Sequence, residues 1–155
     1  MNKIRKRTRA RECALQILYQ HEMNPAPLES IIERFWKEEA VLPEDEVRSF
    51  AEKIVSGTVE HLGEIDGVIS KAVENWEITR MAVIDRNILR SSTYEILFLS
   101  EIPPKVAINE GVNLAKKFSQ IESGKFVNGI LDKIAHTEKP RYESSPKGPL
   151  GEPAG

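Results

Sequence analysis

Residues 3–20 read KIRKRTRARECALQILYQ, a run of cations that passes into an amphipathic helix without a helix-breaking residue. Six cations precede the first acid, Glu12. Apolar side chains then recur at the spacing of one helical face: Ala10, Cys13, Ala14, Ile17 and Leu18. The pattern predicts a helix whose apolar stripe packs into a core while its other face presents guanidinium groups to solvent.

The cations of this segment, the basic arm (residues 3–11), favour a phosphate ligand, because a planar guanidinium donates bidentately to phosphate oxygens. The predicted phosphate contacts are Arg5, Lys6, Arg7, Arg9 and Arg11. The alternative is a solvated end of the chain, since clusters of Lys and Arg are common in unstructured termini. Composition alone leaves both alternatives open.

The rest of the chain is acidic. The 155 residues carry a net charge of −2, but residues 12–155 hold 16 cations and 24 acids, a net charge of −8. A chain with this charge distribution is not expected to cover nucleic acid without sequence preference. It can bind nucleic acid through a local basic patch and another partner through its acidic surface. The length suits one domain. No apolar run reaches a membrane span, no signal peptide is recognisable, and the single Cys13 favours a reducing cytoplasm.

Helical periodicity, interrupted by proline and glycine, predicts an all-α bundle of about seven helices, since no segment alternates with the period of a strand. The predicted helices end before Pro25, then span 28–39, 43–62, 65–76, 81–99 and 103–118, and a last one follows a loop at 119–123. Gly57 is predicted to allow close helix contact, and Thr79 to cap the central helix. Residues 139–155, rich in Pro and Gly, are predicted to form a disordered tail.

No catalytic constellation is recognisable. His21, His61 and His136 fall on separate segments and share no ligand spacing with Cys13. The sequence also lacks a phosphate-binding glycine loop and a nucleophile elbow. The residues therefore offer no candidate catalytic site, and we expect no metal site.

A possible base-binding group is predicted from aromatic and polar residues. Phe126 lies on the flank of an apolar stripe beside Lys125 and Asn128, where its ring can stack on an unpaired base. With Tyr19, these residues form the predicted base-proximal group. The alternative is that Phe126 covers the edge of the core and Asn128 satisfies a loop carbonyl.

Four strings resemble the NusB family of transcription antitermination factors: PPKVAINEGVNLAKKF (103–118), GKFVNGILDKI (124–134), RARECALQILYQ (9–20) and ILRSSTYEI (88–96). The resemblance runs from about residue 5 to residue 135. It implies one RNA-binding helical domain, residues 1–138, with subdomains at about 1–62 and 63–138. Gly111, where the family usually has alanine, and the polar run at 91–93 depart from the pattern.

The resemblance also implies a function. Members bind boxA-type single-stranded RNA in nascent ribosomal RNA leaders, together with the ribosomal protein NusE, within an antitermination complex of RNA polymerase. They are not enzymes and need no cofactor. For this chain, Asp85 and Arg90 are the predicted partner contacts.

Two rival interpretations remain. One is a helical protein–protein adaptor whose basic arm is incidental. The other is an RNA-modifying enzyme, because similar helical domains occur fused to RNA methyltransferases, although 155 residues filled by helices leave no room for a cofactor-binding domain. The sequence does not distinguish a monomer from a homodimer.

Overall fold

The computed structural model describes residues 2–74 and 78–144, which contain seven α-helices and no strand. The helices are α1 (Lys3–Met23), α2 (Leu28–Glu38), α3 (Asp45–Glu60), α4 (Leu62–Val73), α5 (Val83–Phe98), α6 (Pro104–Phe118) and α7 (Ile121–Thr137). Short 3₁₀ helices occupy Ile78–Arg80 and Arg141–Ser144. The prediction of an all-α fold is confirmed.

Helix α1 begins inside the cationic run. The side chain of Asn2 accepts the backbone N–H of Arg5 at 2.9 Å, which caps the first turn. The predicted apolar stripe is buried throughout. Burial raises the pKa of the Cys13 thiol to about 11, so at neutral pH this residue packs as a small, protonated, apolar side chain.

Helix α5 is central and packs against α1, α3, α4, α6 and α7. Because other helices surround it, its buried residues include the polar Ser91, Ser92 and Thr93. A Cβ atom placed on Gly111 of α6 would lie 2.6 Å from Ser92 Oγ. The two departures from the family pattern therefore face each other: the missing methyl group on α6 makes room for the serine on α5.

Gly57 allows the close contact that the sequence predicted. A Cβ atom there would lie 2.0 Å from Cζ of Tyr94, so α3 packs its backbone directly against the tyrosine ring. Any larger residue would push α3 away from α5. Tyr94 in turn stacks on Phe98, with 5.4 Å between the ring centroids.

Most predicted helix boundaries differ from the structure by one to three residues. Helix α4 begins at Leu62, so the break after α3 falls at His61 rather than at Gly63, whose surroundings are open. Thr79 lies in a 3₁₀ turn, and Ala82 occupies the cap position of α5, where the first-turn acid Asp85 complements the helix dipole. Helix α7 includes part of the predicted loop. The predicted helix end at Trp76 lies outside the described residues.

The segment after α7 also differs from the prediction of disorder from Lys139 onward. Arg141 donates from Nε to Glu64 on α4 at 2.6 Å, and its Nη1 lies 3.4 Å from a carboxylate oxygen of Glu138. One arginine thus ties the 3₁₀ turn to α4 and to the residue that follows α7. Residues 145–155 lie outside the described residues, and the subdomain division at 62/63 remains a prediction.

Candidate nucleic-acid interface

The basic arm forms the first turns of α1, and its cations are partly paired with acids. Lys6 Nζ lies 3.0 Å from Glu44 and 2.8 Å from Glu46, and hydrogen bonds to these two carboxylates raise the pKa of Lys6. The Arg7 guanidinium lies 4.4 Å from the centre of the Phe50 ring. Arg5 is exposed. Exposed ion pairs contribute little to stability, so a phosphate can replace such carboxylates at low cost.

Arg9 is also paired with acidic side chains. Its Nη2 donates to Glu39 Oε1 at 3.0 Å, and its Nη1 lies 4.0 Å from Glu12. About a third of its side chain remains exposed. Four of the five predicted phosphate contacts are therefore at least partly accessible on α1.

Arg11 is the exception, and the prediction that it faces solvent is wrong. Its side chain is only 4% exposed and donates three hydrogen bonds of 2.8–3.1 Å to Glu95 on α5. Its Nη1 also lies 3.6 Å from Glu110 on α6. A carboxylate this deeply buried needs a cation partner, and Arg11 is the cation that α1 brings to it. Its guanidinium is therefore committed to these carboxylates, although it also contributes to the lining of a pocket beside Lys3 and Arg7.

The base-proximal group is exposed to different degrees. Tyr19 is 38% exposed, and Lys125 and Asn128 are exposed. Phe126 is half-buried: it packs against the core and also lines a cleft of about 300 Å³ together with Met81. Phe126 thus packs against the edge of the core and also lines the cleft, and base stacking by its ring stays a prediction.

Contacts between helices bring this group to one end of the bundle. Glu22, near the end of α1, accepts hydrogen bonds from Arg86 and Asn87 at the start of α5. Asp85 accepts one from Ser123 in the first turn of α7 at 3.1 Å. The last turns of α1, which carry Tyr19, and the first turns of α5 and α7 therefore meet. The basic arm lies about 21 Å away, at 1.5 Å per residue along α1 from residue 5 to residue 19.

The predicted partner contacts have different surroundings. Arg90 donates to both carboxylate oxygens of Asp66 at 2.8 Å and to Glu22 at 3.1 Å, and only 13% of its side chain is exposed. These hydrogen bonds use three of the five N–H groups of its guanidinium, so Arg90 ties α1, α4 and α5 together, and its role as a partner contact stays a prediction. Asp85 is half-buried beside the cleft, and its Oδ1 has no hydrogen-bond partner among the described residues.

Two further cations were missed by the sequence reasoning. Lys116 and Lys117 end α6 and are both exposed. Lys117 Nζ donates to Glu12 of α1 at 2.8 Å. The pair of lysines before Phe118 was visible in the sequence, but its position beside α1 depends on contacts between residues that are far apart in the chain.

Within residues 2–74 and 78–144, no group of three or more His, Cys, Asp or Glu residues has a geometry that could hold a metal ion. None of the helices in these ranges combines the length and the apolar composition needed to cross a bilayer.

Comparisons with known proteins agree with this fold. A sequence model described as the NusB family matches residues 8–136. The transcription antitermination protein NusB of Thermodesulfovibrio yellowstonii is 45% identical over 150 residues, covering 92% of this chain and 99% of the relative. The same protein of Desulfitobacterium hafniense is 45% identical over 136 residues, covering 86% of this chain and 90% of the relative.

Solved structures are also similar. A structure of T. maritima NusB superposes with a TM-score of 0.79 at 40% identity, covering 88% of this chain and 94% of that one. A crystal structure of antitermination factors NusB and NusE in complex with dsRNA has a TM-score of 0.78 at 30% identity, covering 86% of this chain and 98% of its match. The resemblance found in the four sequence strings is confirmed, and this chain belongs to the NusB family.

Proposed function

We propose that this protein is a transcription antitermination factor that binds boxA-type single-stranded RNA in nascent ribosomal RNA leaders together with the ribosomal protein NusE. The observation that carries the proposal is the likeness to a NusB crystallised with NusE and dsRNA, 30% identical over 86% of this chain. The exposed cations and aromatic rings described above supply the chemistry that such binding needs. The proposal assigns no catalytic step and no cofactor to the chain, and its setting is the cytoplasm.

The basic arm would contact phosphates. Arg5 and Arg7 offer guanidinium groups directly, whereas Lys6 and Arg9 would exchange carboxylate partners for phosphate oxygens. Each contact releases condensed counterions, which makes the affinity depend on salt. Phosphate contacts set position and register but do not read sequence.

The base-proximal group would meet unpaired bases. Tyr19 and Phe126 offer ring faces for stacking, while Lys125 and Asn128 offer donors to base edges and phosphates. The cleft of about 300 Å³ that Phe126 lines supports this role, because it offers space for a base next to this side chain.

The acidic surface would meet NusE, a basic partner, within the antitermination complex of RNA polymerase. The net charge of −8 on residues 12–155 supports such a contact. Asp85 is a proposed contact, since its carboxylate lies at the edge of the cleft with one oxygen lacking a hydrogen-bond partner among the described residues.

The alternative is a protein–protein adaptor with an incidental basic arm. The ion pairs of Lys6 and Arg9 favour it, because an arm already paired with acids needs no nucleic acid to explain its cations. The two functions differ in whether RNA affinity depends on salt.

Binding to a boxA-type RNA, a scrambled strand and a duplex of the same sequence tests the proposal, with and without the ribosomal protein. We expect preference for the boxA-type single strand, with each ligand raising the affinity for the other by the same factor. Replacing Arg5, Arg7 and Arg9 by Gln should lower the log–log salt slope by about 0.7 per lost contact. Equal binding of all three RNAs, or an unchanged slope, would favour the adaptor.

A further inference from the structure

The proposed RNA surface has a gap along α1. Arg9, the last accessible cation of the basic arm, precedes Tyr19 of the base-proximal group by ten residues of this helix, about 15 Å at 1.5 Å per residue. An RNA strand that contacts both must cross the middle of α1, where the predicted contacts supply no cation. The end of α6 lies beside this middle region and carries Lys116 and Lys117.

Lys117 is fixed against α1. Its ammonium lies 2.8 Å from Glu12, yet 60% of its side chain is exposed, compared with 14% for Glu12. Glu12 also lies 4.0 Å from Arg9, so one carboxylate links the basic arm to α6. Tyr19 follows Glu12 by about two helical turns and therefore lies on the same face of α1. Through its ion pair with Glu12, Lys117 is thus placed beside the part of α1 between Arg9 and Tyr19.

Lys116 is directed towards α7 by a glycine. A Cβ atom placed on Gly124 would lie 3.2 Å from Lys116 Cγ and 3.3 Å from its Cε. The aliphatic stem of this lysine therefore lies across the backbone of the first turn of α7, next to Lys125. The described residues give its ammonium no carboxylate partner, and the side chain is exposed.

We propose that Lys116 and Lys117 bind the RNA phosphates that lie between the basic arm and the base-proximal group, and that Gly124 is the positioning residue for Lys116. The inference rests on the proposed function and extends it from two separate contact regions to one path. On binding, Lys117 exchanges Glu12 for a phosphate oxygen, and Glu12 remains beside Arg9. The opposing interpretation is that both lysines only complement the dipole at the end of α6.

The first test measures the salt dependence of binding to a boxA-type single strand for Lys116→Gln, Lys117→Gln and a control. The control is Lys71→Gln, which removes the same single charge. Lys71 lies on α4, is 76% exposed and, like Lys117, is ion-paired with a glutamate, Glu138. We expect each α6 variant to lower the log–log slope by about 0.7 and the control to leave it unchanged. Equal slopes in all three variants overturn the inference. Wild-type protein that binds no RNA in the same assay overturns the proposed function as well.

The second test isolates the glycine. An alanine methyl group would displace a flexible stem only slightly, so Gly124→Leu is the sharper probe. Gly129→Leu in the same helix is its control, since nothing lies within 4 Å of a Cβ atom there. We expect Gly124→Leu to lower the salt slope as Lys116→Gln does, with no further decrease when the two are combined.

Urea unfolding of each variant shows whether the fold is kept, and if Gly124→Leu does not fold, the lysine variants decide alone. Equal slopes for folded Gly124→Leu and Gly129→Leu would overturn the positioning role of Gly124.

Discussion

Arg11 provides the clearest test of which cations of the basic arm stabilise the fold and which bind RNA. Its guanidinium is 4% exposed and faces the Glu95 carboxylate, which is 3% exposed. Burial raises the pKa of Glu95, whereas the hydrogen bonds from Arg11 oppose that shift by stabilising the carboxylate. Arg11→Met should therefore leave a buried carboxyl group without its partner.

The expected loss follows from the general cost of breaking a buried ion pair, about 3–5 kcal/mol. With an m-value of about 2 kcal/mol/M, this lowers the urea midpoint by about 2 M. The assay is urea unfolding followed by circular dichroism, with Arg5→Met as the control. Arg5 is exposed on the same helix, so its replacement should leave the midpoint unchanged.

A double variant tests whether the loss of stability in Arg11→Met comes from leaving the buried Glu95 carboxylate without its partner. Replacing both groups by apolar residues, as in Arg11→Met with Glu95→Leu, should recover most of the midpoint, because no charge is then left buried. The reasoning is refuted if Arg11→Met keeps the wild-type midpoint while its RNA salt slope falls by about 0.7. That result would show that Arg11 contacts an RNA phosphate, as the sequence predicted.

Three further predictions follow from the packing. Phe126→Ala should lose about 1–3 kcal/mol of RNA binding, with Phe126→Trp keeping most of it; a large drop in the unfolding midpoint with intact RNA affinity would instead assign the ring to the core. Gly111→Ala should fail to gain the roughly 1 kcal/mol of helix propensity, because its methyl group would lie 2.6 Å from Ser92 Oγ and 3.0 Å from Leu131 Cδ1. A Ser92→Ala background removes only the first contact and should recover part of the gain; additive urea midpoints would contradict the Ser92 contact. Burial alone would raise the pKa of Glu22, but the hydrogen bonds from Arg86 and Asn87 outweigh burial and lower this pKa below 4.5. The ionised Glu22 carboxylate therefore stabilises the folded state above pH 4.5, and this contribution is lost as the pH falls through the lowered pKa. Glu22→Gln should therefore flatten the fall in stability between pH 5 and pH 2, as urea titrations at several pH values would show.

The helices could be predicted because their signals are local. The apolar stripe of residues 10–18 lies on one face at helical spacing, and Pro25 marks the end of α1 in the sequence itself. The same holds for Gly57, since a glycine inside a helical stripe already indicates close packing. Periodicity, capping and helix breaking act over a few residues, so the chain encodes them without reference to the fold.

The site was only partly predictable, since exposure depends on the neighbours that the fold supplies. Arg9 and Arg11 look alike in the sequence, yet one is partly exposed and the other is buried against a carboxylate 84 positions away. Arg90 resembles a surface cation until α4 and α1 bring Asp66 and Glu22 to it.

The sequence by itself determined the number of helices, the amphipathic character of α1 and the presence of cations and aromatic rings suited to RNA. The tertiary structure decided which cations are accessible, that the basic arm and the base-proximal group lie at opposite ends of α1, and that Lys117 lies between them. The physical reason is that a helical repeat fixes the face on which a side chain lies, but only packing between distant segments determines whether that face meets solvent, a carboxylate or another helix.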